Sequence, residues 1–131
     1  MTSVILTDGG MGQELVRRSQ SEPTPLWSAR VLIDEPELVR DLHAEFIRAG
    51  ARVITINTYS ATPERLAREG AEELFKPLQK RGIELARQAR DEAGEAAIAG
   101  CLSPLFGSYA PALTISFEET LGDDAAVDAE R

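Results

Sequence analysis

The chain has 131 residues, 43% of them hydrophobic, with a formal net charge of −8. That is one ordinary domain with enough apolar side chains for a core, and its excess of acids argues against nucleic acid or an anionic membrane as a partner. The single cysteine, Cys101, excludes an intrachain disulfide and any thiolate metal cage built from this chain alone. No apolar run approaches the roughly 18 residues that span a bilayer, and no basic-then-apolar leader is read at the N-terminus, so a cytoplasmic protein is the expectation.

Val4-Ile5-Leu6 reads as a buried strand that leads into Thr7-Asp8-Gly9-Gly10-Met11-Gly12. The glycines there permit a tight turn and close approach of backbone to a ligand. Gln13, Glu14, Leu15 and Val16 then begin a helix. Asp8 is thereby set at the carboxyl end of a strand, where parallel α/β folds bind their ligands. A carboxylate beside free amide donors suits a zwitterion, with the ammonium on Asp8 and the carboxylate on backbone N–H groups. The competing reading of Asp8 is a helix cap.

Residues 17–25 carry Ser19, Ser21, Pro23 and Pro25 and read as a loop, after which Trp27 reads as a packing anchor. Asp34-Glu35-Pro36-Glu37 predicts a helix start, with Asp34 as cap, ending at Gly50. Leu38, Val39, Leu42, Phe46 and Ile47 form its apolar stripe, and His43 stands at the stripe's edge as a half-buried structural residue. Residues 51–57 are β-branched and predict the second strand, joined to the first by a right-handed crossover. Asn57, Thr58, Tyr59 and Ser60 follow it, on the same side as Asp8, and supply neutral donors and acceptors. The alternative is that Asn57 and Thr58 only satisfy loop backbone.

Thr62-Pro63 caps a short helix that Gly70 ends. A longer helix is predicted over 72–93, bent or begun near Pro77, with Leu74, Phe75, Leu78, Gly82, Leu85, Ala86 and Ala89 facing inward. Residues 96–102 predict a third strand in which Cys101 is a small buried hydrophobe. Ser116-Phe117-Glu118-Glu119 is a capping box, but from Phe117 onward the chain has six acids and one base, so 120–131 is expected to be an acidic, disordered tail.

Three strands, each followed by loop and helix, open either a (β/α)8 barrel or a doubly wound sheet. The wording of the segments decides between them. Leu6-Thr7-Asp8-Gly9-Gly10-Met11-Gly12-Gln13-Glu14-Leu15 resembles the first strand and loop of the homocysteine S-methyltransferase family. So do Leu26-Trp27-Ser28-Ala29, Leu42-His43 through Gly50-Ala51, and Val53-Ile54-Thr55-Ile56-Asn57-Thr58-Tyr59-Ser60-Ala61-Thr62. Ala99-Gly100-Cys101-Leu102 through Gly107-Ser108-Tyr109 resembles its third strand and loop. The resemblance implies a TIM-barrel α/β fold, represented here by about the first three β/α units over 1–119.

It also implies a zinc-dependent enzyme that moves a methyl group from a sulfonium or quaternary ammonium donor to the thiol of homocysteine, giving methionine. Zinc holds the thiol as thiolate, the only good nucleophile of the two forms. Asp8 would take the amino group of homocysteine, the backbone of Gly9, Gly10 and Met11 would lie near its carboxylate, and Asn57, Thr58 and Tyr59 would line the same mouth. The family's zinc-ligand cysteines, one in a Gly-x-Asn-Cys-like segment and a pair in Gly-Gly-Cys-Cys, belong to later strands. Neither segment occurs in these 131 residues, and Cys101 stands at neither place. The expectation is an N-terminal portion truncated before its zinc ligands and inactive by itself. The alternative is a non-catalytic amino-acid-binding fragment, or one that self-associates through open strand edges. A dinucleotide site at Gly9-Gly10-Met11-Gly12 is disfavoured because Leu15 stands where the third small residue belongs.

Overall fold

A computed structural model of the chain describes residues 3–22, 24–26 and 28–104. The expectations for Trp27, for the capping box at Ser116 and for the tail at 120–131 lie outside the described residues.

The architecture is mixed helix and strand. Strands β1 (Val53–Thr55) and β2 (Ala97–Ala99) run parallel, in the register Val53↔Ala97, Ile54↔Ile98, Thr55↔Ala99. Val53 is also bridged in parallel by Thr7, so β1 lies between β2 and the glycine-rich segment. That bridge is held by the Asp8 N–H donating to the Val53 carbonyl at 2.9 Å and the Arg52 N–H donating to the Leu6 carbonyl at 2.8 Å. The buried strand expected at Val4-Ile5-Leu6 is corrected here. Pairing is confined to the Thr7 bridge, and these three side chains are 93%, 64% and 53% exposed. Strand preference is mostly packing against same-face neighbours, and among the described residues these side chains have little to pack on.

Helices α1 (Gly12–Arg18), α2 (Ser28–Asp34) and α3 (Pro36–Arg48) follow the glycine segment. Arg18 ties α1 to α3 by donating to both carboxylate oxygens of Glu45, at 2.7 and 2.8 Å, while also holding Glu14 at 2.7 Å. Helix α2 was not expected, and with it the predicted cap is corrected. Asp34 is the last residue of α2 and receives Arg30 Nε at 2.7 Å. Glu35 occupies the N-cap position of α3 but makes no side-chain cap bond. Its carboxylate instead accepts from the hydroxyls of Ser19 and Ser21 and the N–H of Gln20, pinning the loop after α1. Gly50 ends α3 with φ 108°, a conformation L side chains rarely adopt.

Two helices carry the chain from β1 to β2. Helix α4 (Pro63–Arg68) starts as predicted, with Thr62 Oγ1 accepting from the Arg65 N–H at 3.2 Å. A 3-10 turn over Glu72–Leu74 feeds α5 (Phe75–Ala93). Pro77 lies in the first turn of α5, where its missing N–H leaves no helical bond unmade, so it does not break the helix. The buried face of α5 is Leu78, Gly82, Leu85, Ala86 and Ala89, packed on α3 and α2. One apolar cluster joins Leu15, Leu32, Val39, Leu42, Leu66 and Leu85, and a second joins Ile47, Ile54, Ile56, Ala86 and Ala89 beneath β1. No described helix is long and apolar enough to cross a membrane.

Candidate functional site

Parallel pairing brings the carboxyl ends of the Thr7 segment, β1 and β2 to one rim. There the chain forms a groove of about 430 Å³. Asp8, Gly9, Gly10 and Met11 line one wall, and Asn57 and Tyr59 line another. Six of the seven residues expected to make the site are therefore brought together. The seventh, Thr58, is not on the lining. It is buried, and its Cγ2 lies 2.8 Å from where a Cβ on Gly82 of α5 would sit. Thr58 is packed toward α5, whereas Asn57, Tyr59 and Ser60 beside it line the groove.

Asp8 is not a helix cap. Met11 holds the N-cap position of α1, without a side-chain cap bond. The Asp8 carboxylate instead reaches the neighbouring strand, accepting the Thr55 N–H at 2.7 Å and the Thr55 hydroxyl at 3.2 Å. It thus replaces a backbone carbonyl in the ladder, one residue beyond the point where the Thr7 segment stops pairing. A carboxylate has about four lone-pair positions, so the described residues leave about two of them unfilled. Gly9 sits against Phe46, where a Cβ would lie 3.4 Å from the ring edge. Glycine there lets the turn rest on α3.

The wall after β1 is fixed from behind. Asn57 Nδ2 donates to the Ser28 carbonyl at 3.0 Å, and Gln79 Nε2 of α5 donates to the Ala61 carbonyl at 3.0 Å. The Arg65 guanidinium lies over the Tyr59 ring, 5.5 Å from its centroid. Residue-by-residue reading did not put Gly12, Gln13, Ser28, Thr55, Ile56 or Cys101 on the lining. Ser60, read at the strand end on the side of Asp8, does line the groove, and Cys101 stands beside the next strand end, within reach of the same argument. Ser28 belongs to α2, which nothing local announced. Cys101 is half-buried rather than buried, and burial raises its thiol pKa, which disfavours the thiolate.

His43 is wholly buried rather than half-buried, and neither ring nitrogen has a hydrogen-bond partner among the described residues. Burial pushes its pKa down to about 4, against an opposing pull from the Asp8 carboxylate. The imidazole is neutral when folded, whereas the unfolded chain takes up a proton below its ordinary value of 6.5. The unfolded state therefore binds more protons between those two values. His43's share of stability is complete above pH 6.5 and is lost as pH falls to about 4. His43→Leu should remove about 2–3 kcal/mol of acid sensitivity. Urea midpoints at pH 7.5 and 4.5 would show it as a smaller drop in the variant than in the parent.

Among the described residues no three of His, Cys, Asp and Glu come together as a metal site would need.

The family model for homocysteine S-methyltransferase matches residues 5–124. The homocysteine S-methyltransferase of Escherichia coli (strain K12) is 39% identical over 114 residues, which is 81% of this chain and 36% of that protein. The selenocysteine methyltransferase of Astragalus bisulcatus is 38% identical over 84 residues, covering 63% of this chain and 25% of its own length. Among solved structures, the metallated form of the homocysteine methyltransferase MmuM from Escherichia coli superposes with a TM-score of 0.70 at 36% identity, over 93% of this chain and 43% of that one. The chain thus spans about a third of the length of the first of these relatives.

Proposed function

The chain belongs to the homocysteine S-methyltransferase family, and from that premise we propose that its groove grips the amino-acid end of homocysteine for methyl transfer to the sulfur. The observation that supports this is the meeting of Asp8, Gly9, Gly10, Met11, Asn57 and Tyr59 on one groove at the carboxyl rim of parallel strands. In this reading the fold is the opening of a TIM barrel, about three β/α units of it. Asp8 receives the ammonium on the acceptor positions that Thr55 leaves unused. The substrate carboxylate lies toward the backbone of Gly9, Gly10 and Met11. Asn57 and Tyr59 bound the channel that directs the thiol away from Asp8, and Thr58 supports that wall from the α5 side. The donor is a sulfonium or quaternary ammonium compound, and the product is methionine.

The resemblance implies zinc at the sulfur, where a metal would hold the thiol as thiolate. The described residues do not supply such a donor set, so the part assigned to this chain is binding and orientation.

Titration of the ¹⁵N-labelled chain with L-homocysteine tests the reading. Saturable shifts are expected at Asp8, Gly9, Gly10 and Tyr59, with N-acetylhomocysteine, which has no ammonium, at least about tenfold weaker. Equal binding of the two, or none of homocysteine, would count against it. The exposed Val4, Ile5 and Leu6, with Leu102 equally open at the other side of the sheet, favour a second, compatible reading. These edges self-associate, to be seen as a sedimentation coefficient that rises with protein concentration and falls when Ile5 is replaced by lysine.

A further inference from the structure

Ser60 combines two properties found together in no other side chain of the groove. It lines the groove, and its hydroxyl is buried with no hydrogen-bond partner among the described residues, the whole residue being 1% exposed. Buried hydroxyls are normally paired, and an unpaired one carries a desolvation cost that folding must offset elsewhere. Two other polar residues of the lining are already committed. The hydroxyl and N–H of Thr55 both go to Asp8, and the Asn57 amide donates to the Ser28 carbonyl. Thr58 also has an unpartnered buried hydroxyl, but it is not on the lining.

We infer that Ser60 is a substrate-binding residue whose hydroxyl donates to the α-carboxylate of the amino acid. This rests on the reading that the groove takes homocysteine. The sign of the charge selects the carboxylate. Among the described residues Asp8 is the one acidic side chain on the lining, and it claims the ammonium. The remaining anionic end needs donors, and an O–H aimed at a carboxylate is a charge-assisted bond, stronger than one between neutral groups. The turn amides of Gly9–Met11 then serve one carboxylate oxygen and Ser60 the other. The two oxygens are held from two separate segments, so the Cα substituents are set in one orientation and the thiol is directed one way.

The test compares L-homocysteine with 3-aminopropane-1-thiol, which keeps the amine and thiol and lacks the carboxylate, on the full chain and on Ser60→Ala and Ser60→Cys. Ser60→Ala should weaken homocysteine by about tenfold or more and leave the decarboxylated analogue unchanged. Ser60→Cys, nearly isosteric and a weak donor, should show the same split and guards against a mere cavity effect. Unchanged homocysteine affinity, or an equal loss for both ligands, would overturn the role of Ser60 while leaving the groove reading intact. Failure of the parent chain to bind homocysteine at all would overturn both.

Discussion

Gly82→Ala should destabilise the chain by about 1–3 kcal/mol, against the usual sign for that substitution in a helix. Gly82 is at the middle of α5, where alanine is normally favoured by about 1 kcal/mol because glycine loses more backbone freedom on folding. Here the added Cβ would lie 2.8 Å from Thr58 Cγ2 and 3.8 Å from Ile56 Cβ. Threonine is branched at Cβ and stiff at χ1, and Thr58 is buried, so its methyl cannot swing aside. The strain is therefore passed to the backbone of 57–60 or to α5, and the clash outweighs the propensity gain. Because Asn57, Tyr59 and Ser60 share that backbone, homocysteine affinity should fall together with stability. Removing only the offending methyl separates cause from accident. Thr58→Ser in the Gly82→Ala background should recover most of the loss, an interaction energy of about 1–2 kcal/mol in a double-mutant cycle of urea unfolding. Additive effects would mean that the two residues do not meet.

That contact also shows where reading the chain residue by residue stops. Features whose cause is local were legible. Thr62 caps α4 because its hydroxyl needs only the N–H three residues on. Residues 53–55 were legible as a strand because all three are β-branched, the side-chain type that fits a pleated, half-buried surface. Gly50 and Gly70 close α3 and α4 with positive φ. The grouping of Asp8 with Asn57 and Tyr59 followed from parallel topology, which sends all strand ends to one rim. What was not legible has its cause far along the chain. Thr58 turns from the groove because a glycine in α5 leaves it room. Asp34 is no cap because α2 consumes it, and α2 is a seven-residue helix, too short to be stable except by packing its Ala29, Val31 and Leu32 into the core. His43 is buried deeper than its place at the stripe's edge implies, a depth that depends on what packs over α3 and not on the spacing within it. Val4-Ile5-Leu6 has strand-forming side chains and little to pair them with among the described residues.

Asp8 carries two duties that a pair of substitutions should pull apart. Its carboxylate completes the edge of β1 by accepting from the Thr55 N–H and hydroxyl, and in the proposed function it also holds the substrate ammonium. The first duty needs an oxygen, whereas the second needs the charge. Asp8→Asn keeps one amide oxygen in place for the Thr55 N–H at 2.7 Å. Its stability should stay within about 1 kcal/mol of the parent, while homocysteine binding loses about 2–3 kcal/mol, some 30- to 150-fold in affinity. Asp8→Ala removes both. The half-buried Thr55 N–H then has no acceptor, a further cost of about 1–3 kcal/mol in urea unfolding, and binding falls at least as far as in Asp8→Asn. N-acetylhomocysteine, having no ammonium, should not distinguish Asp8→Asn from the parent. An Asp8→Asn chain that binds homocysteine as the parent does would confine Asp8 to the strand edge and leave the ammonium without its partner. An Asp8→Asn chain as unstable as Asp8→Ala would mean that the strand edge needs the charge as well.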